Sequence, residues 1–362
     1  MMAIKKERSS GIDLLKIFCM FGVIILHYNN STIGKAFTYA PLHSMRSYML
    51  YFLQTVSISA VDVFVLISGY FMCKSSKVDL KKPVRLLIQV IVFRQLIYII
   101  KTLSAGNPLR WQIIWQLLLP KSWFAVLYAA LYVLAPFINR MLHSLSDKSL
   151  KAFMWVAFVV CSLWPYCVDL LKAFSGYNFD GLSTVGMYGS QFGYTLVHFV
   201  FMYCVGAWLR RLEPQGKLWK DCAALLACWL VLFVFAYYWL TRKMDIRYSF
   251  SYSSPLVIAC SVLLFRIFKR IPLKSNPVIS SMATATFSVY LLNSTIIADF
   301  LDTRPYVERS GWLMLAHMVF TCLLVFIISY LAQLLYDLIT KPIYKLFDRL
   351  LPFNTVLRAD DP

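Results

Sequence analysis

The first apolar stretch, Ile12 to Tyr28 (IDLLKIFCMFGVIILHY), constrains the fold more than any other segment. It is apolar enough to enter a bilayer and close to the length needed to cross one, and runs like it recur along the chain. Backbone amides buried in lipid must be satisfied within their own segment, so such runs read as spanning helices. Yet this one carries Asp13, Lys16 and His27. Eleven positions separate Lys16 from His27, roughly 1100° of helical rotation, or three turns with about 20° left over. Both side chains therefore share one face, roughly 16 Å apart along the axis, in line with Asp13, Met20 and Val23 at spacings of three and four. An ionisable residue inside a span is expensive and points first to function. The structural alternative is a Lys snorkelling to the interface and a His satisfied by a neighbour.

Composition extends that reading. The 362 residues are 60% hydrophobic and only 15% charged, with a mean hydropathy of +0.65. The expected fold class is all-α, a polytopic membrane helical bundle of about ten transmembrane helices. The expected spans are approximately 12–28, 56–73, 84–101, 122–139, 151–168, 193–210, 220–241, 253–268, 278–299 and 311–338. One domain is expected over residues 1–352, with 353–362 as a short cytoplasmic tail. A retained first helix is expected, because no small-residue cleavage site follows its apolar run. Two connections, His43 to Thr55 and Leu109 to Leu119, read as interfacial amphipathic segments.

The net charge of +19 does not indicate nucleic acid, because the basic residues alternate between helix ends rather than gathering on one face. With the N-terminus inside, the inside segments hold 22 Lys and Arg and the outside segments 11, the remaining three of 36 lying in spans. That bias favours cytoplasmic termini. The nine cysteines show no C-x-x-C pair and no metal spacing with His, so no metal site is expected. Gly-x-Ser-x-Gly elbows, P-loops and dinucleotide turns are absent.

Four segments together resemble one family. They are the basic-x10-His spacing of Lys16 and His27, then VDVFVLISGYF (61–71), SWFAVLYAALYVLAPFIN (122–139) and TFSVYLLNS (286–294). In this order they resemble the membrane-bound acyltransferase-3 family, integral-membrane O-acyltransferases of bacterial surface sugars. The resemblance implies an enzyme of the bacterial cytoplasmic (inner) membrane, with acetyl-CoA or another acyl-CoA as co-substrate. It implies a carbohydrate acceptor, either surface polysaccharide or lipid-linked glycan, with membrane lipid as the surroundings.

Within this reading His27 is the expected general base. Asp62, the only acid well inside a span, is expected to orient it, since the early residues of the second span lie at the depth of His27. The alternative for Asp62 is a helix entrance facing water. Gly69, seven residues on, would let a neighbouring helix approach closely. Lys16, Lys82 and Arg85 are expected to hold the donor's phosphates, the last two as part of a cluster running from Lys77 to Arg85. The family's Arg-x-x-Arg is here Lys82-Pro83-Val84-Arg85, which keeps charge but loses one bidentate fork. An ordinary positive-inside loop accounts for the cluster equally well. Trp123 matches a family Trp-Phe, and Tyr290 and Asn293 share a face on the ninth span; these three are expected near the acceptor. Relatives frequently carry His at the Asn293 position. Two other classes fit the residues: a transporter or flippase with Lys16, Asp62 and Arg94 lining a path, and a ligand-sensing membrane domain without catalysis.

Overall fold

The computed structural model describes residues 10–212, 216–242, 245–350 and 356–359. The basic residues at 5–8, and much of the tail expected over 353–362, lie outside the described residues. The described residues are 77% helical. In order it forms α1 (Ser10–Asn29), α2 (Met45–Ser57), α3 (Ala60–Met72), β1 (Lys77–Asp79), α4 (Lys81–Ser104) and α5 (Trp123–Ser144). There follow α6 (Asp147–Phe158), α7 (Trp164–Ser175), α8 (Leu196–Arg211), α9 (Leu218–Thr241) and α10 (Pro255–Lys269). The last elements are α11 (Pro277–Thr284), α12 (Thr286–Phe300), α13 (Gly311–Leu350) and β2 (Val356–Arg358).

Helix ends fall where the sequence supplies caps. Ser44, Thr195 and Asn276 accept hydrogen bonds from backbone amides of the first turns of α2, α8 and α11, and Pro277 opens α11 where a missing N–H costs nothing. A π-helical turn, Val159–Leu163, joins α6 to α7 just before Pro165, which cannot donate to the preceding turn. All ten expected spans are helical. Among the described residues seven helical segments are long and apolar enough to cross a membrane, and an eighth forms if the pair α11–α12, bent by 54°, counts as one span. The other two, α8 and α10, have only 16 and 15 residues. The chain is an all-α, multi-pass membrane protein.

By internal contacts the chain divides into two compact units, Met1–Ile67 with Pro214–Ile343 and Ser68–Glu213 with Tyr344–Pro362. In the first unit α1 is central and packs on α2, α10, α11 and α12. Its buried side chains include Ile12, Leu15, Ile24 and Tyr28, alongside Val257 and Phe265 of α10. The apolar side chains left outside form stripes four residues apart: Leu226, Leu230 and Val234 on α9, and Val319, Leu323, Ile327, Leu331 and Leu335 on α13. One face per helix is thus left for lipid.

The segment 43–55 is not a separate interfacial piece. Met45–Met72 forms a 28-residue candidate span broken only briefly between α2 and α3. Its polar residues depress the hydropathy but are satisfied inside the unit. Asn29 donates to Leu50 O and Gln54, Thr55 donates to Tyr51 O, and Arg46 donates to Val307 O. Residues 109–119 do form a surface helix, Trp111–Gln116, with both Trp111 and Trp115 exposed.

In the second unit α5 packs against α4 and α8. Asn139 ties this unit together, donating to Met72 O and Ser75 O and accepting from Tyr203 Oη. A Cβ on Gly69 would lie 2.0 Å from Tyr203 O, so the close approach expected at Gly69 is made by α8. We expect Gly69→Ala to lower thermal stability by about 1–3 kcal/mol or more; an unchanged melting temperature would show that α3 and α8 can separate at no cost.

Candidate functional site

Within the first unit the site is built on α1 and on the broken pair α11–α12. At the start of α1, Lys16 pairs with Asp13 at 3.0 Å across one turn. Asp13, only 4% exposed, also accepts from Ser280 Oγ on α11 at 2.9 Å. A buried carboxylate is costly without partners, and here it has two. Lys16 is therefore an ion-paired residue, and its charge is not fully available to a ligand.

His27 lies in the last turn of α1, on the same face. Its Nδ1 is hydrogen-bonded to Oδ1 of Asn293 on α12. Asn293 is completely buried, and its amide group points one way for a specific reason. Nδ2 donates to Val289 O at 2.9 Å and Tyr290 O at 2.8 Å. With both amide hydrogens committed, Oδ1 can only accept, so the proton of neutral His27 sits on Nδ1. Nε2 is left with its lone pair, as a general base requires. The bend between α11 and α12, centred on Ala285, permits this, because α12 can turn its Asn293 face towards α1 while α11 holds Asp13. Broken helices inside a membrane protein are tolerated where they line a cavity or are packed by neighbours.

Asp62, in the first turn of α3, is completely buried. The hydrogen bond at His27 Nδ1 is made by Asn293. Tyr290 contributes its carbonyl to Asn293, and its ring stacks on Phe287 at 6.2 Å. The sequence reading missed a second polar group in this unit. Tyr28 Oη and His317 Nδ1 are hydrogen-bonded at 2.9 Å, and Tyr306 stacks flat on the His317 ring at 3.8 Å. A signal for it existed, since His317 is a titratable residue well inside the last apolar span.

In the second unit Lys82 and Arg85 stand on the first turns of α4. Arg85 Nη2 donates to both carboxylate oxygens of Asp348, at 2.8 and 3.1 Å, and the guanidinium lies over the Tyr344 ring at 4.7 Å. Lys81 reaches the same carboxylate at 3.0 Å. Beside them β1 pairs antiparallel with β2, Lys77 opposite Arg358. The basic cluster is thus engaged by the C-terminal segment, and a phosphate would reach Arg85 in competition with Asp348. Arg94, unassigned from sequence, donates to Leu119 O. Trp123 opens α5 within an aromatic group, 4.5 Å from Tyr194 and 6.0 Å from Phe199. The structure therefore brings His27, Asn293 and Tyr290 together in one unit. Lys82, Arg85 and Trp123 belong to the other. Among the described residues no group of three or more His, Cys, Asp or Glu is placed to hold a metal.

Comparison with known proteins gives one match. A family model described as an acyltransferase domain, acyltransferase-3, matches residues 9–334. No curated protein and no solved structure matches significantly.

Proposed function

The chain belongs to the acyltransferase-3 family and is a membrane acyltransferase; from that premise we propose that it transfers an acyl group, most simply acetyl, from acyl-CoA to a carbohydrate hydroxyl. The acceptor is an extracytoplasmic or lipid-linked glycan, and the membrane is the bacterial cytoplasmic membrane, with both termini inside. His27 Nε2 takes the hydroxyl proton as the oxygen attacks the thioester carbonyl. The C–S bond then breaks, an ester remains on the sugar, and the coenzyme leaves as a thiolate that takes up a proton. Asn293 holds the ring in the Nδ1–H tautomer and accepts from it more strongly as the imidazolium forms. Asp62 adds a buried carboxylate to the same unit.

The observation carrying this reading is the one-way amide of Asn293, which leaves His27 with a free basic nitrogen on a helix face the family also marks. The test is acyl-CoA consumption by purified protein with and without glycan acceptors. Acceptor-dependent release of free thiol supports transfer, whereas no release under any acceptor rejects it.

Two further outcomes follow from the charge pattern. Arg85→Ala should raise the apparent KM for acyl-CoA several-fold and Arg85→Lys by less, because charge counts even without the fork; equal KM values in wild type and Arg85→Ala would return the cluster to a topology signal. Reporter fusions at Asn178 and Leu350 should report opposite sides, outside and inside, and the same side for both would overturn the topology.

A further inference from the structure

Three basic segments that the sequence marks only as inside loops converge in the second unit. Lys74 follows α3, His143 ends α5, and Arg210 and Arg211 end α8. They line a cavity of about 70 Å³ whose remaining walls are Cys73, Leu142, Leu150, Ala207 and Trp208. A positive-inside bias puts cations at helix ends but does not aim them at one point.

Here they are held in place. Arg211 donates to Leu142 O at 2.7 Å and Leu145 O at 3.4 Å. The Arg210 guanidinium stacks over Tyr70 at 4.7 Å. His143 Nε2 donates to Cys73 O at 2.8 Å, so its Nδ1 accepts from Arg211 at 3.4 Å. The acid facing this group is Asp147, 3.9 Å from Arg211 and 99% exposed on its side chain, where water screens it. The cavity thus collects three cations on an apolar floor, with the entropy of ordering two of them already spent on the fold.

We propose that this cavity is a phosphate-binding site, separate from the Arg85–Asp348 pair and independent of the acyl-transfer reading. By the usual measure of roughly 10–15 Å³ per water, it has room for a tetrahedral oxyanion in place of several waters. The Arg210 guanidinium supplies the forked donor, Arg211, whose Nη2 is committed to Leu142 O and His143, adds fixed positive charge, and Lys74 adds a movable point charge. The phosphate comes either from an anionic lipid headgroup or from a soluble phosphorylated nucleotide.

Two probes distinguish these sources. Adenosine 3′,5′-bisphosphate is titrated onto the full-length protein in phosphatidylcholine nanodiscs, with adenosine as the phosphate-free control. In parallel, thermal stability is followed as phosphatidylglycerol replaces phosphatidylcholine. The double variant Lys74→Glu/Arg210→Glu changes exposed side chains that make no backbone hydrogen bond in this structure. It should weaken bisphosphate binding at least tenfold, or abolish the stabilisation by phosphatidylglycerol, while keeping its melting temperature in phosphatidylcholine. Should the double variant fold poorly, Lys74→Gln and Arg210→Gln singly should each weaken the same probe in the same direction. Loss for the bisphosphate identifies a nucleotide phosphate, and loss for the lipid a headgroup. If neither probe binds the wild type, or the variants bind both as the wild type does, no phosphate site exists there.

Discussion

His27→Gln is expected to abolish acyl transfer in a protein that still folds. Glutamine keeps a hydrogen-bonding side chain in the last turn of α1 but cannot accept a proton at neutral pH. A positioned general base contributes roughly 10²- to 10⁴-fold in rate, so the loss should exceed that of any substitution among the surrounding apolar residues. His27→Ala is the harsher variant, because it leaves Asn293 Oδ1 buried without its partner. A lost buried hydrogen bond costs about 1–3 kcal/mol, enough to imitate lost catalysis in a poorly folded sample. Melting temperature and detergent monodispersity therefore need to match the wild type before rates are compared. A folded His27→Gln with wild-type turnover sinks the assignment.

The second large effect is at Asn293. Asn293→Leu keeps the γ-branched shape, with a somewhat larger side chain, and removes Oδ1, the atom that holds the His27 proton on Nδ1. The carbonyls of Val289 and Tyr290 lose only extra donors, since both belong to the regular part of α12. The expected result is a fall in kcat of about 10- to 10³-fold, a part of the roughly 10²- to 10⁴-fold that a positioned general base contributes, with KM for acyl-CoA nearly unchanged. Asn293→Asp restores an acceptor at the same place and should recover part of the rate. That partial rescue separates a positioning role from a merely structural one. Equal losses in Asn293→Leu and Asn293→Asp, or a change confined to KM, would move Asn293 to the acceptor site expected from sequence.

Much of this was legible in the sequence where local periodicity carried it. The face shared by Lys16 and His27 follows from 3.6 residues per turn, and the close approach at Gly69 from a missing side chain on an apolar helix. Hydropathy located every expected span as helix. It failed at Met45–Ser57, where Arg46, Gln54 and Thr55 make a segment look interfacial although their partners lie within the fold. Pairings across long separations were not readable. Asn293 lies 266 residues from His27, Asp348 lies 263 from Arg85, and His317 lies 289 from Tyr28. Each depends on which helices pack together, which no window of sequence contains. The sequence therefore named His27 and Asn293 without their pairing, and it could not see that Arg85 already has a carboxylate.

If His27 Nε2 is the base in acyl transfer to a glycan hydroxyl, surface glycans lose their acyl esters when His27 is replaced. Mass spectrometry of surface glycans tests it most directly, in cells carrying wild type, His27→Gln or no copy of the gene, at matched membrane abundance. Acyl esters on the glycans of wild-type cells alone are the predicted result. Equal acylation in wild-type and His27→Gln cells, or glycans that do not differ when the gene is absent, would contradict it.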